Sequence, residues 1–354
     1  MDQLTETSFI NSNHSLRFNT MHQKISSISP DLFSDSENSP KPFKENKFKR
    51  AIYKMLFPKE KREAMSLEAN QNLALRTAKN WRYMINQYFL GNLNYFNVKA
   101  KKDLGTEKII WQYWGQGLND KTLPPIAKAS FNSVDKYKGE YLVIRLDDQN
   151  ISDYLEFPDF VWEKKGKNNF RHVFFSDLLR LALLDAYGGV WIDATIILTS
   201  PIPADILNKD FFVFQRDPNT TDKEGWYQFS PSYFCWESYH LVNILSSFMV
   251  AKKNNEIVHL WLDLLLNYWQ TQRSIYHYHF FQILFEELMV NDLYAKRGEI
   301  IDDTLPHLLH RKMHAPFNEE EFKIMTEACF AHKLTYVKNP KNDSFYAEIL
   351  RRYS

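Results

Sequence analysis

The stretch SDLLRLALLDAYGGVWIDATIILTSPIP, residues 176–203, decides how the chain is read. It predicts a helix, a glycine turn and a buried strand that carries one aspartate. Ser176 is a candidate helix cap, and Asp177 suits the positive end of a first turn. Leu178, Leu179, Leu181, Leu183 and Leu184 make the helix apolar on most sides, so it is expected inside the protein. Gly188 and Gly189 end it, because glycine tolerates the left-handed backbone that follows a helix. Val190 to Leu198 then reads as a strand of β-branched and apolar residues. Side chains alternate along a strand, which places Trp191, Asp193 and Thr195 on one face. A carboxylate in so apolar a run is costly unless cations or hydrogen-bond donors meet it, which marks Asp193 as a site residue.

Upstream, IIWQYW (109–114) and YLVIRL (141–146) read as strands. Pro124 and Pro125 between them open a helix that runs to about Tyr137. FFVFQ (211–215) is a further strand. Strands alternating with helices imply a largely parallel sheet, and such sheets bind ligands at the carboxyl ends of their strands. Beyond about Tyr239 the pattern turns helical, through LVNILSSFMVAKK, IVHLWLDLLLNYWQ and FFQILFEELMV. Residues 66–96 also predict helix. Residues 1–47 hold no period and are rich in Ser, Asn, Asp and Pro, as disordered segments are.

Composition narrows the function. Lysine and arginine number 44 against 43 acids, so no overall field argues for nucleic acid. Two cysteines, Cys235 and Cys329, form no metal-spaced cluster, and no disulfide framework is expected. MDQLTETSF lacks a signal-peptide pattern, and no run of about 18 apolar residues occurs, so a cytoplasmic protein is expected. Between 41 and 62, nine basic residues face Glu45 and Glu60 and interleave with Phe48, Ile52, Met55 and Phe57. Two readings stand: a peripheral contact with the inner membrane face, or a solvated helix packed by its apolar side, with Pro58 interrupting the pattern.

With these residues in place, SDLLRLALLDAYGGVWIDAT resembles the signature of the capsular polysaccharide synthesis glycosyltransferases. These are similar to glycosyltransferase family 32 and, more distantly, to the clostridial glucosylating toxins. The shared pattern is Ser-Asp-x-x-Arg followed by Tyr-Gly-Gly-aromatic-x-Asp-x-Asp/Thr, and the likeness extends from about Lys108, including IIWQYWGQG, to the C-terminus. It implies an α/β fold of GT-A type, mainly a parallel sheet flanked by helices, here with a helical N-terminal extension. The expected division is disorder at 1–47, a basic helical extension at 48–104 and the transferase domain at 105–354, with a donor-binding half (105–235) and a helical acceptor or closing half (236–354). It also implies transfer of a hexosyl unit from a nucleotide-diphosphate sugar, a UDP-sugar by preference, with retention of configuration. The acceptor would be an oligosaccharide or lipid-linked saccharide.

The chemical problem in such a transfer is the negative charge of the departing diphosphate, which Mn²⁺, Mg²⁺, lysine or arginine must offset. The resemblance assigns Asp193 to the metal and the donor ribose. Thr195 stands where many relatives have a second aspartate, which removes one charge and one strong ligand. Asp177 and Arg180 lie three apart on one helix face. Spacing alone makes them an ordinary intrahelical pair, whereas the resemblance puts them on the donor sugar. Trp111 is assigned to base stacking, with Gln112 and Trp114 beside it, against core packing as the competing role. Gly188, Gly189 and Trp191 are placed along the donor pocket, and Lys333 on the diphosphate or in solvent. His277 and His279 flank Tyr278 but have no cysteine partner, so a packed role is expected rather than zinc. The departure at Thr195 leaves open a non-catalytic nucleotide-sugar-binding component of a capsule complex. A toxin-like transferase acting on protein is the third possibility.

Overall fold

The structure is a computed structural model that describes residues 28–34, 55–167 and 169–354. The expected disorder of 1–47 and the basic segment 41–62 therefore fall mostly outside the described residues.

In chain order the elements are α1 (Lys59–Phe89), β1 (Lys99–Ala100), β2 (Ile109–Tyr113), α2 (Pro125–Tyr137), β3 (Leu142–Leu146), β4 (Leu155–Glu156), α3 (Asp159–Lys164), α4 (His172–Tyr187), β5 (Gly189–Ile192) and β6 (Ile196–Leu198). There follow α5 (Ala204–Leu207), β7 (Phe211–Gln215), α6 (Lys223–Phe229), β8 (Ile244–Ala251), α7 (Glu256–Thr271), α8 (Phe280–Glu287), α9 (Leu308–Lys312), α10 (Glu319–Ala328), β9 (Ala331–Lys333) and α11 (Phe345–Arg352). The central sheet has the order β3-β2-β5-β8-β7. β3, β2 and β5 are parallel, and β8 pairs antiparallel with both β5 and β7. The protein is thus α/β, with a mostly parallel sheet between helices and a long helix at the N-terminal side.

Three features depart from the sequence reading. LVNILSSFMVAKK holds β8, not a helix, because all eight residues of β8 are buried between two strands and no alternation is left to betray it. The helix expected from Ser176 begins at His172; Ser176 lies within it, and its hydroxyl donates to the Val173 carbonyl at 2.7 Å instead of capping. Part of the stretch expected to be disordered is also packed. Phe33 sits against Trp81 of α1 and Tyr268 of α7, with ring centroids 4.9 and 4.7 Å away. Gln272 fixes this segment by donating to the Ser29 carbonyl at 2.9 Å.

The glycine pair does its work in packing. Gly188 and Gly189 have φ of +73° and +101°. A Cβ on Gly189 would lie 2.4 Å from the Ile109 carbonyl oxygen of β2, and one on Gly188 would lie 2.7 Å from the Lys253 nitrogen. The buried helix α4 can therefore turn directly into the sheet's central strand.

Candidate active site

The predicted strand Val190–Leu198 is in fact two strands separated by a turn. β5 ends at Ile192, the Asp193 amide donates to the Ser247 carbonyl of β8, and the Ile196 amide closes the turn on the Asp193 carbonyl, both at 2.9 Å. β6 then leaves the main sheet and pairs with β9 in the register Ile196↔Lys333. The Leu334 amide donates to the Thr195 carbonyl at 2.9 Å. This ribbon brings Lys333 against a turn that it lies 138 residues beyond.

Around that turn the charged groups converge. Arg180, on the buried face of α4, donates to Asp177 at 2.7 Å and to Asp193 at 3.1 Å. Its guanidinium lies between the rings of Trp191 and Phe281, at 5.3 and 5.4 Å from their centroids. Trp191 donates its indole N–H to the same Asp193 oxygen at 2.7 Å. Lys333 Nζ donates to the other Asp193 oxygen at 3.2 Å and to the Thr195 hydroxyl at 2.7 Å. Two acidic side chains thus stand against two cations.

The environment separates the two acids. Burial would raise Asp193, but Lys333, Arg180 and the Trp191 and Ser247 hydrogen bonds outweigh it and hold the carboxyl below its ordinary value. Burial pushes Asp177 up to about 7; Arg180 opposes this, and the charge on Asp193 adds to it.

These charged groups line a cavity of about 770 Å³, within the range of ligand pockets. The same cavity is walled by Tyr233, His279, His307 and His310, together with Ser246 and Gln282. Burial lowers His279 and His307 to about 3 and His310 to about 4, so all three are neutral at physiological pH. Arg216 braces this wall: it grips Asp303 at 2.6 and 2.9 Å and donates to the Tyr233 carbonyl at 3.1 Å. None of these wall residues was singled out from sequence except His279. With LVNILSSFMVAKK read as a helix, Ser246 and Ser247 had no place in the sheet beside Asp193.

Asp177, Arg180, Asp193, Thr195 and Lys333 thus line one cavity, and Trp191 lies beneath Asp193. Other expected residues do not reach it. Trp111 is 0% exposed, donates to the Gly188 carbonyl at 2.9 Å and packs on Tyr187, so no ring face is open to a base. Gln112 is equally buried and accepts from Arg145 at 3.1 Å. Gly188 and Gly189 face protein backbone. Trp114 is half-buried and packs in the small cluster that includes Ala194 of the turn. His277 is buried and accepts from the His279 amide, as a packed residue does.

The resemblance implies a divalent cation on Asp193, and the donor set does not fit one. Each Asp193 oxygen already accepts from a cationic side chain, and the neighbouring Thr195 hydroxyl accepts from Lys333. Among the described residues no group of three His, Cys, Asp or Glu side chains comes together in metal-holding geometry. Hard cations seek several oxygen ligands, at least some of them charged.

Among the described residues no helix is long and apolar enough to cross a membrane. Two curated relatives are similar over part of the chain. The O-glycosyltransferase PaGT of Phomopsis amygdali is 25% identical over 182 residues, covering 49% of this chain and 41% of that protein. The O-glycosyltransferase braB of Annulohypoxylon truncatum is 24% identical over 192 residues, covering 51% and 42%. The chain therefore spans about two fifths of the length of each. A solved structure titled PaToxG Glycosyltransferase aligns over 75% of this chain and 95% of its own at 14% identity, with a TM-score of 0.34, too low to bear on the fold. The family model described as capsular polysaccharide synthesis protein matches residues 61–349. The chain belongs to the capsular polysaccharide synthesis protein family.

Proposed function

We propose that the protein is a glycosyltransferase that moves a hexosyl unit from a nucleotide-diphosphate sugar, a UDP-sugar by preference, to a hydroxyl of a capsular or exopolysaccharide precursor. The observation that carries this reading is the joining of Asp177, Arg180, Asp193 and Lys333 by hydrogen bonds in the lining of a single cavity. Carboxylates accept from sugar hydroxyls, arginine's planar fork holds oxygen pairs, and lysine meets phosphate as a point charge. The family membership and the two O-glycosyltransferase relatives support transfer to oxygen. The serine, glutamine and aromatic wall offers an acceptor saccharide the mixture of ring faces and hydrogen-bonding groups that sugars need.

In the proposed reaction the bond from the anomeric carbon to the β-phosphate oxygen breaks. The acceptor oxygen bonds to that carbon on the same face, and its proton passes to the departing phosphate oxygen. No side chain is needed as base. Asp177 and Arg180 fix the sugar, Asp193 anchors Arg180 and the hydroxyls nearest the break, and cavity walls exclude water. The reaction belongs on the cytoplasmic side, where the donor is drawn from solution.

A thermal-shift screen of nucleotide-sugars tests this, because a ligand bound only by the folded state raises the melting temperature. A rise with a UDP-sugar, accompanied by slow release of UDP, is the expected result. No shift with any nucleoside diphosphate or nucleotide-sugar would refute the proposal.

A further inference from the structure

The mismatch between an expected metal and the groups present has a constructive reading. We propose that Lys333, backed by Arg180, supplies the positive charge that a divalent cation would bring to the donor's diphosphate, so that nucleotide binding and transfer need no metal. This rests on the donor-site reading above and deepens it.

Three observations carry it. First, Lys333 Nζ stands 2.7 Å from Thr195 Oγ1 and 3.2 Å from Asp193, and all three residues line the cavity. A neutral hydroxyl at 195 accepts a lysine hydrogen bond, whereas a second carboxylate there would instead offer a cation two charged ligands.

Second, the lysine is placed by backbone and not by chance contact. β9 carries it in strand register with β6, and the Leu334 amide is bonded to the Thr195 carbonyl. A lysine so held is an ordered charge rather than a solvated one. It needs little reorganisation when a phosphate arrives.

Third, the lysine side chain is about a quarter exposed, while Arg180 is almost fully enclosed. Arg180 is committed to both carboxylates. Lys333 is the cation free to swing one of its three donors from Asp193 onto an anionic oxygen. When diphosphate binds, the Asp193 carboxylate remains paired with Arg180 and Trp191, so moving Lys333 orphans no buried charge.

The test is calorimetric titration of UDP into the protein in EDTA, then in excess Mn²⁺ or Mg²⁺. The expected result is equal affinity within about twofold in the two conditions. Lys333→Ala should weaken UDP at least tenfold, about 1.4 kcal/mol, and Lys333→Arg should restore most of the loss. Circular dichroism and melting temperature establish that the variants are folded. The wild-type comparison stands even where a variant is not. Binding of UDP only when a divalent cation is added would overturn this inference and leave the donor site intact. Binding in neither condition would instead overturn the donor-site reading itself. Full UDP affinity in folded Lys333→Ala would show that the lysine plays no part.

Discussion

Asp193→Asn changes one oxygen to an amide and leaves the shape of the turn. In the native site the carboxylate accepts from Arg180 at 3.1 Å, Trp191 at 2.7 Å and Lys333 at 3.2 Å. Charge-assisted hydrogen bonds are worth roughly 1.5–3 kcal/mol each, but the asparagine oxygen keeps one acceptor and Arg180 keeps Asp177. The Asp193 side chain is also 22% exposed, which moderates the loss. A net destabilisation of about 2 kcal/mol follows. For a chain of 354 residues, with unfolding entropy of about 2.1 cal/mol/K per residue, that is roughly 3 °C in Tm. Transfer should suffer more. Losing a charged acceptor to the donor costs another ~1.5–3 kcal/mol in the transition state, a fall of about 10- to 150-fold in kcat/KM. UDP alone should behave in the opposite way. Asp193 opposes the nucleotide's charge, so its neutralisation should leave UDP affinity in EDTA unchanged or tighter. UDP-release kinetics and titration calorimetry on one protein preparation read both effects. Full turnover in Asp193→Asn would refute the site, and weaker UDP binding would show that the carboxylate aids the diphosphate, directly or by holding Lys333, rather than opposing it.

Asp177 predicts a pH dependence. Its folded-state value is about 7 against an ordinary 3.8, so the protonated acid favours folding: its stabilising share is complete below about 3.8 and lost as pH climbs through about 7. Denaturant unfolding of Asp177→Asn should therefore gain on wild type as pH rises across that window, while wild-type transfer should fall below about pH 7 as the sugar-binding carboxylate is neutralised; parallel profiles would contradict this. Gly189→Ala forces a Cβ to 2.4 Å from the Ile109 carbonyl oxygen at φ +101° and should cost at least about 3 kcal/mol, seen as a lower Tm or insoluble protein. An unchanged Tm would remove the steric role of this turn. Phe33→Ala should cost about 3–5 kcal/mol, roughly 4–7 °C, with donor affinity kept, because Phe33 is 5% exposed against Trp81 and Tyr268; a silent substitution would mean that residues 28–34 are not packed there in solution.

What could be read from the residues was local. The helix, the glycine pair and the following strand lie within some twenty positions; spacing set Asp177 and Arg180 on one helix face, and the resemblance tied them to the site of Asp193. Helices α2 and α7 and strands β2, β3 and β7 were legible for the same reason. The failures share another cause. β2 and β8 are buried on both faces, so alternation could not say which way Trp111 points or that Ser246 and Ser247 belong to a strand. The break after Ile192 depends on where β9 pairs, far along the chain. Lys333 stood out only through the resemblance, since a solvated lysine has the same local sequence. The docking of Phe33 likewise depends on a partner, Tyr268, more than two hundred residues away.

The most direct test is a crystal structure grown with UDP and a non-hydrolysable UDP-sugar in EDTA. It should show the diphosphate within hydrogen-bonding reach of Lys333 and the sugar hydroxyls on Asp177 and Arg180. Nucleotide density elsewhere on the protein, with that quartet of side chains still bonded only to one another, would contradict the account.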